Sequence, residues 1–427
     1  MTASLRSICC AVFALLSIAN ASYADNWPGW RGPRGDGSSA ETNLPTQWSA
    51  SENVVWKVAI PGEGHACPVV WGDRIFIATA MAEERLRVLM CLDRKTGAAL
   101  WQRTVVTSSP ETKHQLNTYA SSTPVTDGEL VYATFFQSSD RTIVATNVSA
   151  PREVSVGKMI VAAYDFEGNQ QWIAEPGEFI SVHGYCSCPV LFENLLIVNG
   201  DHDGDSFLVA LSKLTGKIEW KVPRVNKTRS YCTPIIREFA GRTQMIMSGN
   251  KSVTSYNPRT GELLWSMDGP TEQFVASMVD NGKYVFLTAG YPDKHILAID
   301  PTGSGTIDES KIAWRSKRNC SYVPSPIVVG NYFLVTSDDG ILSCYDSMSG
   351  ERVWFVRLGS HYNGSPVSAG GLVYFTADNG ITKVVRPGAE YELVSECKLD
   401  EECYSSPAIA DGQIFIRTKE NLICIGK

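Results

Sequence analysis

Leu92-Asp93-Arg94-Lys95-Thr96-Gly97-Ala98-Ala99-Leu100-Trp101 decides the fold, because the chain repeats it. A sister copy, Tyr345-Asp346-Ser347-Met348-Ser349-Gly350, runs up to Trp354. Looser copies pass through Ser212 and Gly216 to Trp220, and through Asn257 and Gly261 to Trp265. Each reads as a turn between strands, where a short carboxylate hydrogen-bonds the backbone and glycine supplies the positive φ that the hairpin needs. Trp56, Trp101, Trp172, Trp220, Trp265, Trp314 and Trp354 are separated by 45, 71, 48, 45, 49 and 40 residues. A period in the forties marks a repeat architecture in which each unit buries its face on its neighbours.

A second signal follows each Trp: a small residue and proline, a β-branched pair, then a turn. Cys67-Pro68-Val69-Val70-Trp71-Gly72-Asp73 is one copy, and its sisters centre on Pro124, Pro189, Pro234, Pro326, Pro366 and Pro407. Ser277-Met278-Val279-Asp280-Asn281-Gly282 keeps the pattern without the proline, which makes eight units. The sixth unit divides into 327–329, 332–336, 341–345 and 353–357. Four short strands joined by tight turns form an antiparallel meander, and such sheets repeated around an axis make a β-propeller. The eighth unit (406–409, 413–417, 421–425) stops one strand short, while Asn53-Val54-Val55-Trp56-Lys57-Val58 is a strand without a blade. The expectation is an all-β, eight-bladed propeller of four-stranded antiparallel blades, closed by residues 54–59 beside 421–425. Val394 stands where the seventh unit should carry Trp.

The N-terminus reads as a signal peptide, with Arg6, an apolar run from Ile8 to Ala19, and Ser22-Tyr23-Ala24 as cleavage site. The expected organisation is a signal peptide over 1–24, an extended segment over 25–53 packing on the propeller, and the propeller over 54–427. This implies a periplasmic or secreted protein, and no later run is long enough to span a bilayer. With 38 basic against 45 acidic residues there is no basic stripe, which argues against nucleic acid. Ten cysteines remain after cleavage. Cys91, Cys344 and Cys424 stand where Ala210 and Ala298 stand in sister units, so they read as small buried hydrophobes. Cys397 and Cys403 flank a short acidic loop and are the first pair to test for a bridge.

The Asp-x-x-Thr-Gly-x-x-x-Trp repeats with Ser/Thr-Pro strand starts resemble the quinoprotein-like, or PQQ-repeat, propeller superfamily from about Val54 to Lys427. Trp27-Pro28-Gly29-Trp30-Arg31-Gly32-Pro33 together with Gly62-Glu63-Gly64-His65 is similar to an exported subfamily of planctomycete-type bacteria. The superfamily holds quinone-dependent dehydrogenases and also non-enzymatic members, among them the periplasmic propeller of the outer-membrane assembly machine. Its dehydrogenases hold the quinone over a disulfide of adjacent cysteines, with calcium as Lewis acid. The mature chain has no adjacent cysteine pair and no Cys-x-x-Cys-His haem site. The resemblance therefore implies a non-catalytic binding or scaffold module of the cell envelope, monomeric, with no cofactor, meeting a protein or glycan by one face. The alternative is a PQQ-dependent or sugar-type oxidoreductase, using PQQ with calcium at the channel mouth.

The segments entering each unit carry polar and aromatic residues that should gather at that mouth: His65, Tyr119, His183, Tyr185, Arg229, Tyr231, Asn319, Tyr322, His361, Tyr362 and Tyr404. Converging polar groups among aromatic walls are the usual make-up of a ligand pocket. The alternative is that these positions stack between blades and bond strand ends, as repeat consensus residues do; His65, His183, Arg229, Asn319 and His361 break the repeat and are stronger functional candidates than the tyrosines. Asp201-His202-Asp203-Gly204-Asp205 has oxygen ligands at alternate positions, as calcium prefers, although the sister turns Asp338-Asp339-Gly340 and Asp378-Asn379-Gly380 read as hairpin chemistry. The 71-residue step holds an insertion at about 137–158, expected as a loop or added hairpin on the same face.

Overall fold

The computed structural model describes residues 26–145, 148 and 150–426, so the signal-peptide stretch lies outside it. Eight sheets follow one another, all antiparallel and four-stranded except the fourth, which gains one short parallel strand. Each blade runs outward from strand A at the axis to strand D at the rim, and the A strands of successive blades pack side by side. Blade 1 comprises Val69–Trp71, Arg74–Met81, Leu86–Asp93 and Ala99–Thr107. Its B and C strands are buried on both faces, since each sheet is sandwiched between two others. Blade 8 comprises Ala408–Ala410, Gln413–Arg417 and Asn421–Ile425, and Val54–Ala59 supplies its strand D. Trp56 sits opposite Cys424 and Ala59 opposite Asn421, so the ring closes as expected.

The tryptophan spacing has a direct physical cause. The strand-D indole of one blade lies on the C–D turn of the next and donates Nε1–H to a carbonyl there: Trp56 to Arg94, Trp101 to Phe166, Trp172 to Lys213, Trp220 to Pro258, Trp314 to Ser347 and Trp354 to Gly388. The turn glycine is required twice over. Gly97 has φ 73°, and a Cβ there would stand 2.7 Å from the Trp56 ring. Trp265 is the exception, bonding Gln244 within its own blade. The lengthened C–D connection of blade 5 covers it instead, with Gly305–Thr306 pairing in parallel against Trp265 and Ser266. Where blade 7 carries Val394, Trp48 from the N-terminal segment adds bulk to the same core and stacks on Tyr374 with ring centroids 6.3 Å apart.

The small residue before each proline also has a role. Its backbone N–H bonds the side chain of the equivalent residue in the next blade: Cys67 to Thr123, Thr123 to Cys188, Thr233 to Ser277, Ser277 to Ser325, Ser325 to Ser365, and Ser365 to Ser406. Ser406 in turn donates to Cys67, and Thr233 to Cys188. The links form a belt around the axis, which satisfies donors that have no ladder partner.

Residues 26–48 run through the end of the axis that carries the A–B turns. Trp27 pairs with Val70, the Thr126 N–H bonds Pro28 O, and Trp30 Nε1 reaches Ser277 Oγ at 3.2 Å. Arg31 is buried and fans its guanidinium onto the carbonyls of Pro326, Pro366 and Asp36. Gly32 (φ 76°) lets the Trp27 ring lie against the backbone, where a Cβ would stand 2.7 Å away. Farther on, Ser39 bonds Ser368, and Glu41 accepts from the backbone of Asp411 and Gly412. Cys397 and Cys403 do not form the bridge considered above. All ten described cysteines are free, and these two thiols point to different partners, Thr46 O for Cys397 and Arg417 O for Cys403.

Candidate functional site

The D-to-A segments and the B–C hairpins share the end of the axis opposite the N-terminal segment. The B–C turn carboxylates fix this mouth. Asp203 accepts the Val182 N–H, Asp338 those of Tyr322 and Val323, and Asp378 that of Asn363, all between 2.8 and 3.0 Å. Thus these turn carboxylates hold the segment entering their own blade, beyond closing a hairpin.

The candidate residues divide into two groups. At the mouth, half-buried, the His65 ring lies 5.0 Å from Tyr404, and His183 lies 5.6 Å from His114 and 6.2 Å from Tyr231. Tyr231 Oη meets Ser181 Oγ at 3.2 Å, and Tyr322 Oη donates to Gln273 at 3.1 Å. Tyr119 is flanked by the Arg87 guanidinium at 4.7 Å and the Lys113 ammonium at 5.0 Å. Asn319 reaches Ser343, and His361 is exposed with Nδ1 2.7 Å from Asp378. The second group is turned inward. Tyr185 is buried against Phe179 at 5.0 Å, and Tyr362 is buried in the core shared by blades 6 and 7. Arg229 is likewise buried, held 2.7 Å from Asp203.

Three polar groups escaped sequence reading because each is a single residue within an apolar strand or an irregular loop. Arg87 pairs with Glu111 at 2.5 Å, both buried; Arg224 pairs with Asp201 at 2.9 Å; and Arg417 is buried at the end of its strand. Burial outweighs the neighbouring Arg87 and pushes the Glu111 carboxyl up to about 7. Burial, then Arg417 and Lys113, hold His65 down at about 3. Burial, then Arg229 and His114, hold His183 at about 4, so both imidazoles are neutral at physiological pH.

The insertion forms an added hairpin on this face, extending Leu130–Ala145 and Arg152–Asp165. It is anchored by Ser155 Oγ accepting the Thr112 N–H at 3.0 Å and by Arg152 donating to Val182 O. A small core of Ala145, Val154, Val156, Ile180 and Val182 lies beneath it. Ile143 and Val144 are exposed at its tip, and Leu116 and Val225 are exposed on neighbouring segments of the same face.

Among the described residues no two cysteines are adjacent, and no cluster of three His, Cys, Asp or Glu is placed to hold a metal ion. In the 201–205 turn, Asp201 and Asp203 are engaged by Arg224 and Arg229, and Asp205 by Lys227.

A family profile described as outer membrane protein assembly factor BamB matches residues 46–153, 152–355 and 292–395, well over half the chain. The chain belongs to that PQQ-repeat family. Among solved structures, this PQQ-repeat chain is similar to BamB from Moraxella catarrhalis, at 12% identity and TM-score 0.60, covering 88% of this chain and 97% of that one. It is also similar to the quinohemoprotein alcohol dehydrogenase ADHIIG from Pseudomonas putida HK5, at 11% identity and TM-score 0.63, covering 94% and 80%. At such identities the likeness is one of fold, which members with unlike chemistry share. No curated protein matches the chain.

Proposed function

We propose that this PQQ-repeat propeller is an exported, non-catalytic binding or scaffold module of the cell envelope, taking up a protein or glycan across its mouth face. The observation that carries the reading is the gathering of His65, Tyr119, His183, Tyr231, Tyr322 and Tyr404, half-buried, at one end of the axis while residues 26–48 fill the other. On the same face the aliphatic side chains of Leu116, Ile143, Val144 and Val225 are exposed. The family's description as an outer membrane protein assembly factor supports an envelope role. No helix among the described residues is long and apolar enough to cross a membrane.

Two experiments test this reading. The double variant Tyr231→Ala, Tyr322→Ala should unfold as cooperatively as the parent yet lose capture of purified envelope proteins or cell-wall glycan. Capture that survives the double variant refutes the assignment of the mouth. Reconstitution with PQQ and calcium should give no saturable binding, and tight binding with a shifted quinone absorbance would reinstate the oxidoreductase.

A further inference from the structure

We propose that the mouth holds a small oxyanion, a carboxylate or phosphate group carried by its ligand, on Arg417 beside His65. This deepens the reading of the mouth as a binding face and rests on it. Arg417 ends strand B of blade 8, and the equivalent residues of the other blades are Ala78, Thr134, Asn199, Ser248, Thr288, Thr336 and Thr376, all short and uncharged. In blades 2 and 3 the side chain ties down the segment entering the next blade. Thr134 donates to Ser187 O at 3.0 Å, and Asn199 to Cys232 O at 3.1 Å. Arg417 does the same for Ala66 O at 3.4 Å and adds Ala78 O at 2.5 Å. A neutral hydroxyl or amide performs this task at Thr134 and Asn199, and blade 1 carries only Ala78 there, so the charge of Arg417 exceeds what blade closure needs.

That charge is also unbalanced. The other buried arginines of the mouth, Arg87, Arg224 and Arg229, each face a carboxylate at 2.5 to 2.9 Å. Among the described residues Arg417 has only the two carbonyls, and its Nε is buried without a partner there. An uncompensated buried cation is costly, which makes it a ready receptor for an anion. Its guanidinium is pressed against Gly64, where a Cβ would stand 2.5 Å from Nη2, and that glycine precedes His65 at the mouth. The fields of Arg417 and Lys113 both act on His65, which places two cations around one neutral imidazole. Glu63, two residues before His65, accepts the Tyr119 N–H. An arriving oxyanion would meet the guanidinium as a charge-assisted acceptor, with Lys113 adding long-range attraction.

The test uses the mature chain with inorganic phosphate, acetate and chloride at constant ionic strength. Wild type should show a saturable rise in Tm with phosphate or acetate but not with chloride. Preference for phosphate identifies a phosphorylated ligand, and preference for acetate a carboxylated one. Arg417→Thr, the sister residue, should weaken the oxyanion at least tenfold, as expected for one charge-assisted contact. Arg417→Lys should retain part of the response. In unmodified protein, the oxyanion should also move the His65 ring resonances while leaving those of His361 in place, a readout independent of any variant's folding. An unchanged oxyanion response in Arg417→Thr, or none in wild type, overturns the proposal. If wild type and Arg417→Thr capture an envelope partner equally well, the anion site falls and the binding face stands.

Discussion

Gly350→Ala tests whether the repeat motif is enforced by indole docking or by turn geometry alone. Gly350 has φ 75°, a conformation that costs an L-residue about 1–2 kcal/mol. Its Cβ would also stand 2.5 Å from Cγ of Trp314. The indole cannot retreat. Nε1 is bonded to Ser347 O at 3.2 Å, and Phe286, Phe333 and Tyr345 pack around the ring with centroids 5.7, 5.9 and 5.9 Å away. Overpacking of this kind costs about 1–3 kcal/mol, so the total is about 2–5 kcal/mol. Gly330→Ala is the control, with φ 57° and no atom within 4 Å of the new Cβ, so only the backbone cost of about 1–2 kcal/mol applies. Urea unfolding followed by Trp fluorescence should place the Gly350 variant about 1–3 kcal/mol below the control at unchanged m-value. Equal losses in the two variants would refute the docking account. Combining Gly350→Ala with Trp314→Phe should recover part of the deficit, because the smaller ring leaves room.

Other perturbations act on the polar framework. Asp203→Asn keeps an acceptor for Val182 but strands the buried Arg229, and should cost about 3 kcal/mol in urea unfolding; a loss below about 1 kcal/mol would contradict the pairing. Glu111, with its carboxyl raised to about 7, binds a proton more readily folded than unfolded, so its contribution to stability is present in acid and fades as pH rises toward 7. Glu111→Gln should remove that slope, seen as a gain relative to wild type between pH 5 and pH 7, a window bounded by the cited value. His65 and His183 act with opposite sign, losing stability as pH falls below the ordinary histidine value, and NMR should find both rings neutral at pH 5, above their values of about 3 and 4. Arg31→Met removes the donors from the carbonyls of Pro326 and Pro366, and should cost about 1–3 kcal/mol per buried orphan, read as a fall in Tm. Reductant should leave Tm unmoved, and all ten described thiols should react after unfolding; a reductant-sensitive Tm would contradict the free cysteines.

What could be read in advance was whatever recurs. The turn glycines, the indoles and the pre-proline residues each meet the neighbouring blade, so one interface written repeatedly becomes visible as a period. The closing strand was visible as the unit that the last blade lacked. Single events stayed hidden. Nothing in Trp27-Pro28-Gly29-Trp30-Arg31 has a strand or helix period, so the sequence shows a segment packing on the propeller but not its contacts across the axis. Tyr185 and Tyr362 share their setting with the mouth tyrosines, yet Phe179 in one case and the core around Leu358 in the other offer apolar walls that draw them inward. Arg229 was noticed as a break in the repeat, but its burial depends on Asp203, more than twenty residues earlier, which only the fold brings near.

The strand that completes blade 8 imposes a timetable on synthesis. Val54–Ala59 leaves the ribosome about 360 residues ahead of its partner Asn421–Ile425. At roughly 5–20 residues per second the wait is about 20–70 s. Throughout that interval one strand edge, Trp27, Trp48 and the Arg31 guanidinium have no finished ring to enter, and unpaired edges invite pairing with other chains. Lys57 in the waiting strand, which later pairs with Glu401, is the kind of charge that discourages such encounters. A chain cut short anywhere before Asn421 would keep that edge open for good, so synthesis of the partner strand is itself the step that makes this propeller safe.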